Sequence, residues 1–125
     1  MNVFISVPMN GLTTQQIEDE IEHVCKIADS YFPLGHLEFV TNFETEADDV
    51  VDTVKNERIW HLGEALKCLS ICDAIMCPNH TNDYPGCKIE KATAMEYGIP
   101  IYLYDIKVLD EFRKGIFHDE KEVNE

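Results

Sequence analysis

Hydrophobic positions along this chain fall into two patterns: short unbroken runs, and longer stretches in which apolar residues recur every three or four positions. The runs predict buried strands, at residues 2–7, 37–40, 73–77 and 99–104. The periodic stretches predict helices, the first capped by Thr13 or Thr14 and ended by Pro33 and Gly35, the others at residues 55–69 and 86–97. This alternation predicts an α/β fold: a single-domain, Rossmann-like parallel sheet of about four to five strands, with right-handed crossovers and helices on both faces.

The first predicted helix is amphipathic. Ile17, Ile21 and Val24 recur at helical spacing, so one apolar face is expected to pack on the sheet. The acidic residues of this segment are expected elsewhere on the helix surface: Glu18, Asp19, Glu20 and Glu22.

Two charged segments lack such a pattern. Residues 44–52 are acidic, and we interpret them as a solvated loop or a frayed helix start rather than a cation site, because nothing fixes the carboxylates relative to one another. Residues 1–105 are expected to form one domain, since no internal repeat or linker is visible. Residues 106–125 are expected to be a charged tail, with one short helix as an option.

The charge balance narrows the range of partners. The chain has 125 residues, of which 24 are acidic and 10 basic, and its net charge is −14. Such a charge repels a phosphate backbone or an anionic membrane, so neither nucleic acid polymers nor membranes are expected as partners. No apolar run approaches membrane-spanning length and residues 1–7 do not resemble a secretion signal, so a cytoplasmic location is expected.

The cysteines and glycines indicate neither a metal nor a cofactor. The odd number of cysteines, five, predicts reduced thiols. Cys77 and His80 have a zinc-like spacing, but Cys68 and Cys72 lie four apart on an apolar helical face, so buried thiols are the better interpretation. The glycine-rich fingerprints of dinucleotide and NTP binding are absent from the sequence.

The strongest candidate chemistry follows the third predicted strand. Residues 78–83 leave its C-terminal end, where open α/β sheets bind ligands. Gly86 is expected to permit a tight turn into a helix whose N-terminal dipole keeps the Glu90 carboxylate ionised, and such a carboxylate is suited to be a nucleophile. The alternative is that Glu90 only stabilises a helix N-terminus, where acidic residues are favoured.

Three motifs in this order resemble a known superfamily. Residues 5–12 (ISVPMNGL) are similar to an ISGPMTG opening, and residues 72–75 (CDAI) to a CDAI strand. Residues 86–99 are similar to a helix of the pattern G-A-x-x-E…A…A…G-I. These motifs belong to small bacterial and phage proteins related to the nucleoside 2-deoxyribosyltransferases, and the resemblance spans about residues 3–104.

The resemblance implies a reaction and a set of site residues. In that superfamily the glutamate at the position of Glu90 attacks C1′ of a 2-deoxyribosyl nucleoside or nucleotide, and another base or water resolves the glycosyl-enzyme. Asp83 is then the second candidate catalytic residue. The expected substrate-binding residues are Ser6, Pro8, Met9, Asn10, Gly11, Asp73, Asn79, Tyr84 and Gly86. Relatives complete their sites across subunits, which implies a homodimer or a larger homo-oligomer.

Two positions depart from the superfamily pattern. Relatives often have an aspartate eight residues before the D-A position, where this chain has Ala65, so the acid is Asp83 or Glu64, or efficient catalysis has been lost. Val7 replaces the usual glycine of the opening, which restricts close approach of the backbone to a ligand. Two hypotheses therefore stand. The first is cleavage or exchange of an N-glycosidic bond through Glu90, and the second is non-catalytic binding of a nucleotide-like ligand in the same pocket.

Overall fold

The computed structural model describes residues 1–9, 11–33, 35–41 and 52–106. Its strands are β1 (Asn2–Ile5), β2 (Glu38–Val40), β3 (Ala74–Pro78) and β4 (Ile101–Tyr104). Its helices are α1 (Thr14–Tyr31), α2 (Glu57–Leu69) and α3 (Pro85–Glu96). The strands form one parallel sheet in the order β2-β1-β3-β4, which confirms the predicted α/β fold. Asn10, most of the acidic segment and all of the tail after residue 106 lie outside the described residues.

Alternation along β1 assigns its side chains to two hydrophobic layers. Val3, Ile5 and Val7 pack with α1 on one face of the sheet, and Phe4 packs with α2 and α3 on the other. The same period of two divides β3, which is buried throughout its length as expected for an inner parallel strand. Helices therefore cover both faces of the sheet, as predicted.

Helix α1 begins at a capping box and buries one unexpected carboxylate. The Thr13 hydroxyl accepts from the Gln16 N–H, and the Gln16 side chain accepts from the Thr13 N–H. Glu20, which we predicted on the solvated surface, is only 1% exposed. The prediction was wrong because it was based only on the polarity of the Glu20 side chain. Glu20 lies three residues after Ile17 and four before Val24, so helical geometry places it on the buried face.

The opposite layer contains small apolar residues beside its large ones. Ala65 and Leu69 of α2 and Ala94 of α3 pack against Phe4, Ile75 and Cys77 of the sheet. The alanines let the two helices lie close to each other and to the strands. Since Ala65 belongs to this layer, the position where relatives often have an aspartate is a core position here.

The strand order places a crevice between the ends of β1 and β3. The chain leaves β1 through α1 toward β2 on one side, and returns through α2 to β3 on the other side of β1. Such a reversal of direction is the position where open α/β sheets bind ligands. The loops that follow β1 and β3 meet there, at the C-terminal edge of the sheet.

The outer edge of β4 is partly closed by a side chain from α1. The Tyr31 hydroxyl donates to the Leu103 carbonyl at 2.7 Å, and the ring lies 5.8 Å from that of Tyr102, centre to centre. This contact ties the C-terminal end of α1 to the edge strand.

Within the described ranges, no helix is long and apolar enough to cross a membrane. The five cysteines are all free thiols. Among the described residues, no group of three or more His, Cys, Asp and Glu side chains is placed to hold a metal ion.

Candidate functional site

A buried hydroxyl–carboxylate pair lies where the C-terminal end of β1 meets α3. The Ser6 hydroxyl donates to Oε1 of Glu90 at 2.7 Å. Both side chains are buried, with 2% of Ser6 and 8% of Glu90 exposed. The structure therefore brings together the opening loop and the candidate nucleophile, which are 84 residues apart in the sequence.

Two periodicities create this contact. Ser6 follows Phe4 by two positions, so its side chain faces the α2–α3 layer. Glu90 lies three residues after Cys87 and four before Ala94, which are the other buried positions of α3. Strand and helix periods thus direct both polar groups into the same interface.

The start of α3 differs from the sequence-based expectation. The helix begins at Pro85, so Glu90 is its sixth residue and no acidic residue lies in the first turn. Gly86 is already helical and its φ is not positive, so the tight turn proposed for it is absent. A Cβ added at Gly86 would meet no atom within 4 Å. Burial on the sheet, rather than a position at the helix end, defines the environment of Glu90.

Ser6 is also fixed through its backbone. Its N–H donates to the Met76 carbonyl at 2.9 Å, and its own carbonyl accepts from the Tyr104 hydroxyl at 2.7 Å. Tyr104 is buried at the end of β4 and was not among the predicted site residues. Sequence reasoning missed it because the aromatic residues of this strand resembled ordinary core residues.

Cys77 supplies the neighbouring side chain on β3. Burial raises the pKa of the Cys77 thiol to about 11, with the Lys91 ammonium opposing the rise and the Glu90 carboxylate adding to it. The thiol is therefore neutral near pH 7, and it is not a competing nucleophile.

Comparison with known proteins finds a solved structure with a similar fold. No protein-family model and no curated protein sequence matches the chain. A 2-deoxyribosyltransferase from the psychrotolerant bacterium Bacillus psychrosaccharolyticus superimposes with a TM-score of 0.55. The match covers 84% of this chain and 72% of that one, at 17% sequence identity. The chain has the fold of a 2-deoxyribosyltransferase. At this identity the likeness concerns the fold alone.

In this 2-deoxyribosyltransferase fold the opening loop lies beside the crevice. Pro8 is buried, and Met9 packs on the α1-side layer. The Leu12 N–H donates to the Met9 carbonyl at 3.2 Å, and Gly11 adopts φ 79°, a conformation that favours glycine. The Val7 side chain is buried on the α1 side, away from Glu90, so it does not occupy the space in front of the carboxylate.

The loop before α3 contributes one exposed carboxyl and one aromatic ring. Asp83 lies in the turn ahead of the helix and is exposed. The Tyr84 N–H donates to the Thr81 carbonyl at 3.0 Å, and the Tyr84 ring packs against the α1-side layer. Both residues lie at the C-terminal edge of the sheet, and their roles toward a substrate stay predictions.

Two of the predicted binding residues have structural contacts instead. Asp73 precedes β3 at the opposite edge of the sheet, where its Oδ2 accepts from the Asn2 N–H at 2.8 Å. Asp73 is therefore removed from the candidate site. The Asn79 Oδ1 accepts from the Ile106 N–H at 3.1 Å, so this amide oxygen secures the chain after β4.

The alternative acid on α2 is also engaged elsewhere. Glu64 is paired with Lys67 at 3.0 Å on the surface of its own helix. Asp83 thus remains as the candidate acid at the crevice.

Proposed function

We propose that the chain cleaves or exchanges the N-glycosidic bond of a small nucleoside or nucleotide, with Glu90 as the nucleophile. The observation that carries this proposal is the burial of Glu90 at the β1–β3 crevice, with the Ser6 hydroxyl 2.7 Å from Oε1. A carboxylate in a ligand crevice, shielded from water and supplied with a donor, has the environment of a reactive group rather than of a helix-capping one.

The reaction proceeds in two displacements. A Glu90 oxygen forms a bond to C1′ while the C1′–N bond breaks, and the electron pair of that bond leaves with the base. The departing base takes a proton from an acid, for which Asp83 is our candidate. A second base then attacks C1′ to give transfer, or water attacks to give hydrolysis, while the Glu90–C1′ bond breaks and the attacking group gives its proton to the Asp83 carboxylate. Either attack restores the Glu90 carboxylate.

The remaining parts of the proposal concern the pocket and its assembly. We assign the sugar and base contacts to Pro8, Met9 and Gly11 of the opening loop and to Tyr84 and Gly86 at the start of α3. Asn10, which lies outside the described residues, belongs to this proposal on its sequence position alone. A homo-oligomer is part of the proposal, and exposed apolar side chains on α2 and α3 supply surface for it: Ile59, Ile89 and Met95. The acidic charge and the free thiols support a cytoplasmic location.

The test is an incubation with nucleosides and their 5′-monophosphates, with the free base measured by chromatography. Glu90→Gln should abolish release of the base, because it removes the charge and keeps the shape. Glu96→Gln is the matched control, since Glu96 ends the same helix and is exposed. It should leave the rate unchanged.

A slow 2-fluoro nucleoside identifies the nucleophile by mass spectrometry. The label should appear on Glu90 in the parent and be absent from Glu90→Gln. Label on Cys87, or equal turnover by Glu90→Gln and the parent, would end the proposal.

Because the core position Ala65 lacks the carboxylate found in relatives, the second candidate is a non-catalytic nucleotide-binding protein. Ligand binding by calorimetry, without base release from any substrate, would favour it.

A further inference from the structure

Ser6 is held by hydrogen bonds to three different elements. Its N–H donates to the Met76 carbonyl of β3, and its carbonyl accepts from the Tyr104 hydroxyl of β4. Its own hydroxyl donates to the Glu90 carboxylate of α3. Both side-chain bonds are 2.7 Å long and buried. A serine that is fixed at every polar atom has little freedom to adapt to a ligand.

The two side-chain contacts approach Ser6 from opposite faces of the sheet. Tyr104 belongs to the α1-side layer, and it reaches Ser6 past β3, which lies between β4 and β1. Glu90 descends from α3 on the other face. The Tyr104 hydroxyl therefore fixes the peptide from one side while the Ser6 hydroxyl is directed to the carboxylate on the other.

The role of Ser6 follows from where its single hydroxyl proton is donated. A serine has one O–H donor, and here it is donated to Glu90, so it is not available to donate to a sugar hydroxyl or a base. Burial favours the neutral form of a carboxyl group, whereas a hydrogen bond donated to the carboxylate favours the charged form. The Ser6 hydroxyl opposes the effect of burial at the group that must be ionised to attack C1′.

We propose that Ser6 and Tyr104 are positioning residues that keep Glu90 ionised and oriented, and that Ser6 acts on Glu90 rather than on the substrate. This inference rests on the proposed function for its consequence in catalysis. The relay itself, from Tyr104 through the Ser6 peptide to Glu90, is a statement about the protein alone, so it is measurable without a substrate.

The elements that pack around Glu90 carry other titratable groups, and the variants below leave those groups in place. They are Cys77 on β3, Lys91 on α3, Asp83 in the loop before α3, and the half-buried His61, Glu64 and Cys68 on α2. The Cys77 thiol is neutral near pH 7 because burial raises its pKa to about 11, so it contributes no charge there.

The direct test is carbon-13 NMR titration of protein labelled at the glutamate carboxyl carbons. The Glu90 signal is assigned by its loss in Glu90→Gln. In Ser6→Ala the titration midpoint of this signal should rise by about one pH unit, because a hydrogen bond to a charged group is lost. Tyr104→Phe should give a smaller rise, and Ser6→Thr, which keeps the hydroxyl, should restore most of the parent value.

Two matched controls each remove a hydroxyl group at a position away from Glu90. Tyr102→Phe deletes a hydroxyl from the same strand, and Ser30→Ala deletes one from the exposed surface of α1. Both should leave the Glu90 midpoint at its parent value. Circular dichroism establishes that each variant is folded, and Ser6→Ala removes only one oxygen atom from the core.

The outcomes separate this inference from the proposed function. An unchanged midpoint in folded Ser6→Ala overturns the inference, even if the protein cleaves nucleosides through Glu90. A raised midpoint in a protein that cleaves nothing supports the relay and refutes the proposed function. If both hold, the acidic limb of the kcat/KM profile of Ser6→Ala should move to higher pH with the midpoint. The loss of activity relative to the parent should grow as the pH falls, and it should approach about tenfold below the parent midpoint.

Discussion

Replacing Ala65 by aspartate tests whether position 65 is a core position or a catalytic one. Ala65 is 2% exposed and packs among the apolar side chains of the α2–α3 layer. The sequence resemblance alone predicts that Ala65→Asp restores an acid and raises turnover. The structure predicts the opposite, because Ala65 packs among apolar side chains and a carboxyl group at this position loses its hydration, and we expect Ala65→Asp to destabilise the fold without raising activity.

The expected decrease in the free energy of unfolding follows from the protonation equilibrium of the new carboxyl group. A buried aspartyl group is driven to its neutral form, and at pH 7 holding it protonated costs about 4 kcal/mol, since its pKa in the unfolded chain is about 3.9. Burying the neutral carboxyl group costs a further ~1–3 kcal/mol. These losses are comparable with the whole stability of a small domain, typically about 5–15 kcal/mol.

The pH dependence has a definite sign. Desolvation raises the pKa of the introduced carboxyl group in the folded state, so the folded protein binds the proton more tightly than the unfolded one. The penalty is therefore greatest at neutral pH and shrinks as the pH falls toward 3.9. At pH 5 the protonation cost is about 1.5 kcal/mol, so about 2.5 kcal/mol of the loss should be recovered relative to pH 7.

Urea unfolding followed by circular dichroism at pH 7 and pH 5 measures both quantities. Ala92→Asp is the matched control, since Ala92 lies on α3 and is exposed. It should cost less than about 1 kcal/mol, mostly from helix propensity. A free energy of unfolding for Ala65→Asp within ~1 kcal/mol of the control, or an increase in turnover, would refute the packing assigned to Ala65.

Three further predictions concern stability and reactivity. Asp73→Ala should lower the free energy of unfolding by about 1–2 kcal/mol, because the Asn2 N–H loses its partner, and should leave any nucleoside cleavage unchanged; a loss of kcat would return Asp73 to the site. Gly11→Ala should destabilise by about 1–2 kcal/mol at its φ of 79°, whereas Gly63→Ala within α2 should stabilise by up to about 1 kcal/mol, both measured by urea unfolding. The Cys77 thiol, with its pKa raised to about 11 by burial, should react with an alkylating reagent at pH 8 only after unfolding, and rapid labelling of the native protein would contradict its assigned environment.

The fold was predictable because hydrophobic pattern and burial agree over most of the chain. The unbroken apolar run of β3 identified the buried inner strand, and the alternation of strands and helices implied the parallel sheet. Glu20 shows where this reasoning failed, since its polarity indicated solvent while its helical phase placed it in the core. Burial is decided by position on the helix once neighbouring residues are anchored.

The candidate site was only partly predictable. Motifs selected Glu90 and the opening loop, and the meeting of Ser6 and Glu90 followed from strand direction. The role of Tyr104 depended on the spatial order of the strands, because its contact with Ser6 spans 98 residues of sequence and passes β3. Asp73 was misplaced because the motif resemblance was followed instead of strand direction, which puts a residue at the start of a parallel strand at the N-terminal edge of the sheet, opposite the candidate site.

The span of these contacts bears on the order of events in folding. Ser6 is synthesised before Glu90 and Tyr104, which are 84 and 98 residues later in the chain. Closing such long loops into parallel pairings is slow compared with forming helices. The complete set of contacts from Tyr104 through Ser6 to Glu90 therefore cannot form in a nascent chain that ends before β4. Under the proposed function, full nucleoside cleavage would then require that β4 is paired in the sheet, and a loss of activity would report its detachment.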